Sequence, residues 1–119
     1  MPERLPSGKI PFSLVYEKGK SWAGKEIVVR ALGNGLEASR FGFAVSKRLG
    51  GAVVRNRVKR RLREITRKMT VQPGWDIIII ARMPAVTAGF VGLSQAVGRV
   101  LVRAGLAAGE NEGDSPRTD

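Results

Sequence analysis

The chain has no cysteine and no histidine among its 119 residues. That excludes disulfides, thiolate nucleophiles, thiolate metal ligands and the imidazole on which most general acid–base sites depend. Acids are scarce before the tail: Glu3, Glu17, Glu26, Glu37, Glu64 and Asp76 are scattered, with no close pair to clamp metal ions. Ser46 has no histidine to activate it. The Gly33-Asn34-Gly35 and Gly50-Gly51 stretches lack the GxxxxGK[ST] context of a phosphate loop and read as turns. Neither a self-contained catalytic centre nor a metal site is expected. Long apolar runs are missing as well. The longest, Ile77–Ala81, has the length of a strand and is far too short for a membrane span. The opening MPERLPSGKIPFSLVYEKG lacks the apolar core of a signal peptide, so the cytoplasm is the default location.

What is present in excess is positive charge. There are 21 Lys and Arg against 10 Asp and Glu, a formal net charge of +11. Four of those acids (Glu110, Glu112, Asp114, Asp119) stand in the final segment, so the body is more basic still. Such a field draws in polyanions. With 43% hydrophobic residues the chain can still build a modest core, and its length suits one domain.

Along the chain, residues 1–8 read as a flexible N-terminus broken by Pro2, Pro6 and Gly8. A short helix is expected from about Lys9 to Lys18, with Pro11 in its first turn, Gly19 as its stop, and Pro11, Leu14 and Val15 able to face the core. Trp22-Ala23 suggests a brief strand. Two strands, Glu26–Leu32 and Arg40–Ser46, flank a turn containing Gly33-Asn34-Gly35. In the second, Phe41, Phe43 and Val45 alternate with Gly42, Ala44 and Ser46, giving one bulky and one flat face. The run Asp76–Ala81 reads as a central strand covered on both sides. A last helix to Arg103 is expected to turn Phe90, Leu93, Val97, Val100 and Leu101 inward. The domain is placed at residues 9–106, and 107–119 read as an acidic, disordered tail. The order of elements predicts an α+β fold, a small sandwich with a single sheet.

The segment GGAVVRNRVKRRLREITRKM concentrates the charge. Val58, Leu62, Ile65 and Met69 form an apolar helical stripe, and Asn56, Lys59, Arg60, Arg63 and Arg67 fall opposite it. A merely solvated helix would mix signs at i, i+4, whereas here Glu64 is the lone acid. Phosphate binding explains the segment better. Arg outnumbers Lys, which suits bidentate phosphate contacts and stacking on bases, and the apolar face lacks the Trp and Phe of a membrane-surface helix. Phe12 and Tyr16, four apart, share one side of the first helix. Aromatic rings beside a basic groove hold single-stranded nucleic acid, although core packing explains the same spacing.

The stretch RFGFAVSKRLGGAVVRNRVKRRLRE resembles the signature region of the bacterial ribonuclease P protein subunit. A VSK-ending strand leads through a Gly-containing loop to Ala52, Arg55-Asn56-Arg57, Lys59-Arg60 and Arg63, in the family's spacing. Phe12, Val15, Tyr16 and Gly19 look like its first helix, Asp76–Arg82 like its last strand, and Phe90, Leu93 and Leu101 like its final helix. The resemblance implies an αβββαβα order with a left-handed βαβ crossover. It implies a partner, a large catalytic RNA whose bound Mg²⁺ performs hydrolysis, and a substrate, precursor tRNA, whose 5′ leader is removed. Lys47, Arg48, Arg55, Asn56, Arg57, Lys59, Arg60 and Arg63, with Arg67 on the same helix, would bind the catalytic RNA. Phe12 and Tyr16 would line the leader cleft with Arg30, which stands where some members carry another cleft aromatic and offers a phosphate contact in place of stacking. The competing reading is a ribosomal or other structural RNA-binding protein.

Overall fold

A computed structural model describes residues 9–108. The segments 1–8 and 109–119, read above as a flexible N-terminus and acidic tail, lie outside the described residues. The elements are α1 (Phe12–Lys18), β1 (Lys20–Ala23), β2 (Ile27–Gly33), β3 (Arg40–Ala44), α2 (Ala52–Arg67), β4 (Trp75–Ala81), α3 (Pro84–Thr87) and α4 (Gly89–Arg103). The expected αβββαβα order is present, with α3 as an additional short turn of helix before the last one.

The four strands form one sheet in the order β1-β2-β4-β3. β4 runs antiparallel to β2 and parallel to β3, so its backbone is bonded on both edges. Ile77, Ile78 and Ile79 are fully buried because helices lie over both faces of this central strand. β2 and β3 are therefore not a hairpin: β4 is inserted between them, and the 34–39 connection spans two strand spacings, about 10 Å.

Side-chain alternation divides the core into two layers. Ile27, Val29, Ala31, Ile77, Ile79 and Ala81 face α2 and α4, meeting Val58, Leu62, Ile65, Leu93, Val97 and Leu101. Each Val, Leu or Ile among them contributes about 1.5–3 kcal/mol before chain entropy is subtracted. Ile78, with Leu32, Ala44 and Ile80, faces the other way and meets Ile10, Phe12 and Val15 around α1. Seven residues of helix cover much less sheet than sixteen and fifteen. The α1 face is the thin side of the sandwich.

Several local expectations are corrected. Pro11 is the N-cap of α1, one residue before its first turn, and its carbonyl accepts from Leu14 N at 3.0 Å and Val15 N at 3.1 Å. In α1 only Val15 is buried; Leu14 is exposed. α2 ends at Arg67, so Met69 packs against the core from beyond the helix, while Thr66 is buried and donates to Leu62 O at 3.0 Å. Phe90 is exposed and takes no part in the core, which at this end includes Ala85, with Val86 and Ala88 packed against it. Ala107, placed above at the start of the tail, is bridged to Val71, and its N–H donates to Leu101 O at 3.2 Å.

Candidate RNA interface

α2 carries the charge because its buried stripe leaves no other place for it. Val58, Leu62 and Ile65 point into the core, which turns Asn56, Arg60, Arg63 and Arg67 to the solvent as one row. At 1.5 Å per residue this row is about 16 Å long. Lys59, Arg57 and Arg61 flank it and are half-buried. None of these cations meets a described carboxylate within 4.0 Å; the one ion pair among the described residues is Arg40–Asp76. The first turn of α2 contains no acid, so the positive end of the helix dipole adds to the same field.

The entry to α2 is shaped by local bonds. Ser46 caps a single 3₁₀ turn, Lys47–Leu49, its hydroxyl oxygen accepting from Arg48 N at 3.0 Å. This leaves Lys47 and Arg48 exposed beside the first turn of α2. Ser46 is thus a cap. Arg55 Nε donates to Gly50 O at 3.2 Å and braces the loop, so Arg55 and Arg57 are less accessible than Arg60 and Arg63. Arg57 Nε is shut from solvent without a hydrogen-bond partner among the described residues.

Phe12, Tyr16 and Arg30 come together on the opposite face of the sheet. The Phe12 and Tyr16 rings lie 6.2 Å apart at 59°. Their environments differ. Phe12 is half-buried against the layer of Ile10, Val15 and Ile78, whereas Tyr16 is 41% exposed. The flat side of β3 makes room for Phe12, since a methyl group at Gly42 would fall 2.6 Å from its Cζ. Half-buried Ala44 and Ile80 extend the apolar floor beside it.

Arg30 on β2 has a role that sequence reasoning missed. Its Nη2 donates to Tyr16 O at 2.5 Å and Gly19 O at 3.1 Å and lies 3.5 Å from Val15 O, which also accepts from Gly19 N at 2.8 Å, so the guanidinium binds the carbonyl end of α1. The guanidinium carbon also stands 5.9 Å from the Tyr16 ring centroid, a cation–π distance. Arg30 holds the helix that carries the aromatic pair. A signal existed in a lone cation on the α1-facing side of an otherwise apolar strand, Val28-Val29-Arg30-Ala31-Leu32.

The site residues thus form two surfaces, a cationic row over one side of the sheet and an aromatic wall over the other. Among the described residues no three Asp or Glu side chains converge to hold a metal ion.

Comparison with known proteins gives the same direction. The family model described as Ribonuclease P matches residues 3–105. The ribonuclease P protein component of Dehalococcoides mccartyi is 42% identical over 108 residues, spanning 91% of this chain and 90% of that protein. That of Roseiflexus castenholzii is 45% identical over 101 residues, spanning 82% and 83%. Among solved structures, the RNase P protein of Staphylococcus aureus superposes with a TM-score of 0.74 at 36% identity, covering 81% of this chain and 90% of that one. The Thermotoga maritima RNase P protein gives 0.73 at 31%, covering 78% and 90%. These matches extend over the whole body, sheet and both surfaces included, and decide against a ribosomal origin: the chain belongs to the ribonuclease P protein family.

Proposed function

We propose a division of labour within this ribonuclease P protein component. The row on α2, with Lys47 and Arg48, binds the catalytic RNA, while Tyr16 and the exposed edge of Phe12 hold the single-stranded 5′ leader of precursor tRNA. Hydrolysis of the leader and its Mg²⁺ belong to the RNA. The protein contributes affinity and placement. The observation that carries this reading is the lack of partners along α2: Asn56, Arg60, Arg63 and Arg67 face solvent together, with no described carboxylate in reach. Charge left unpaired on a folded surface is neutralised when phosphates replace counterions, and the released counterions favour the complex. The leader assignment is supported by a ring that stays exposed on a helix buried by Val15 alone. Among the described residues no helix is long and apolar enough to cross a membrane, and the cytoplasm is the proposed compartment.

Two variants test the division. Tyr16→Ala loses on the order of 1–3 kcal/mol of affinity for precursor tRNA and none for mature tRNA. Arg60→Ala/Arg63→Ala weakens binding to the catalytic RNA and makes its salt dependence shallower. Equal losses for both tRNAs in the first, or an unchanged salt slope in the second, would contradict the corresponding assignment.

A further inference from the structure

A second cationic site lies at the β1 edge of the sheet, away from α2 and α1. The β1–β2 turn, Gly24-Lys25-Glu26, meets the last turns of α4 around a recess of about 250 Å³, lined also by Ala96, Arg99, Val100 and Arg103. Gly24 allows that approach, because a methyl group there would fall 2.8 Å from Val100 Cγ2. Two guanidiniums are fixed to backbone carbonyls, one in the turn and one at the end of β1. Arg82 Nη1 donates to Gly24 O at 2.8 Å, and Arg103 Nη2 donates to Ala23 O. Each is held by one donor and retains others. Lys25 and Arg99 are exposed and make no side-chain hydrogen bond among the described residues. Three cations, Lys25, Arg99 and Arg103, therefore line the recess with a single acid, Glu26, Arg82 reaches the same turn from beside it, and none of the four forms an ion pair with Glu26 within 4.0 Å.

We propose that this recess is a second contact for an RNA backbone phosphate. A helix C-terminus accounts for Arg103, since cations are favoured there, but not for Lys25, Arg82 and Arg99 converging on the same turn. The recess is smaller than the roughly 300–1,000 Å³ of small-molecule pockets and suits one phosphate group. Pinned guanidiniums lose little freedom when they take a second acceptor. The sheet register places the recess within reach of the α2 surface. Ile80 pairs with Val28 on one side and Ala44 on the other, so the β1–β2 turn and the loop into α2 leave the same end of the sheet. One folded RNA can span both.

The proposal rests on the reading of this chain as an RNA-binding subunit, and the test separates the two. Lys25→Ala/Arg99→Ala is titrated against the catalytic RNA, and as the reconstituted holoenzyme against precursor tRNA, over a salt series at constant Mg²⁺. The slope of log K against log salt is expected to flatten by about 0.7–0.9 per lost phosphate contact. Flattening in the first titration assigns the phosphate to the catalytic RNA, and in the second to the substrate. Wild-type slopes in both, with Arg60→Ala/Arg63→Ala flattened alongside, overturn the recess alone. Wild-type slopes in every variant overturn the underlying reading as well. Should the double variant lose its thermal transition, Arg99→Gln is read by the same slopes.

Discussion

Phe12 occupies the space that a side chain at Gly42 would take, with its Cζ 2.6 Å from where that methyl group would sit and Ile10 Cδ1 at 3.2 Å. The flat face of β3 therefore sets how deeply the α1 aromatics sink. Gly42→Ala is expected to push Phe12 outward at about 1–3 kcal/mol, as overpacking does. Thermal unfolding should shift down by about 4–8 °C per kcal/mol, and preference for precursor over mature tRNA should fall with it. An unchanged melting temperature would mean that the ring is not seated there.

Arg30 and Tyr16 are distinguished by stability. Removing its donors from the α1 carbonyls by Arg30→Met should cost about 1–2 kcal/mol of stability and loosen leader binding at the same time. Tyr16→Ala should loosen leader binding with the melting temperature nearly constant. If Arg30→Met lowered leader affinity without lowering the melting temperature, Arg30 would be a phosphate ligand and not a brace.

Asp76 is buried at 3% exposure and ties three segments together. It accepts from Arg40 Nε at 2.7 Å and Nη2 at 2.8 Å, and from Asn34 Nδ2 at 2.9 Å. Asp76→Ala deprives the partly buried Arg40 guanidinium of its carboxylate and should destabilise by about 2–4 kcal/mol, against about 1 kcal/mol for Asn34→Ala. Urea unfolding of the two variants checks the ratio. The hydrogen bond to Asp76 raises the Arg40 pKa, with attraction adding to it and burial opposing it. A raised pKa contributes stability that is complete below the ordinary guanidinium range and lost only as pH climbs past it. The Arg40 cation therefore adds no pH dependence near neutrality.

The parts legible in the sequence are those written in local periodicity. α2 follows from Val58, Leu62 and Ile65 at helical spacing, and the central place of β4 follows from an unbroken apolar run. The insertion of β4 between β2 and β3 was not legible, because strand pairing joins residues more than thirty positions apart and leaves no local period. Phe90 keeps helical spacing with Leu93 and Val97, yet it is exposed in the first turn of α4, a burial difference that periodicity alone does not carry. The hydrogen bonds of Arg30 to α1 were not legible, because a helix terminus that needs donors is visible only once β2 lies under α1. Phe12 and Tyr16 read as an equivalent pair, and burial separates them into a half-buried ring and an exposed one.

The central claim is that this protein supplies binding and an RNA supplies the chemistry. Its most direct test is cleavage of precursor tRNA at low Mg²⁺ by the nuclease-free protein, by a bacterial ribonuclease P RNA, and by the two combined. No product is expected from the protein at any Mg²⁺ concentration, little from the RNA alone, and efficient release of the leader with a 5′-phosphate on the tRNA from the mixture. Cleavage by the protein alone, or a mixture no more active than the RNA, would contradict the claim.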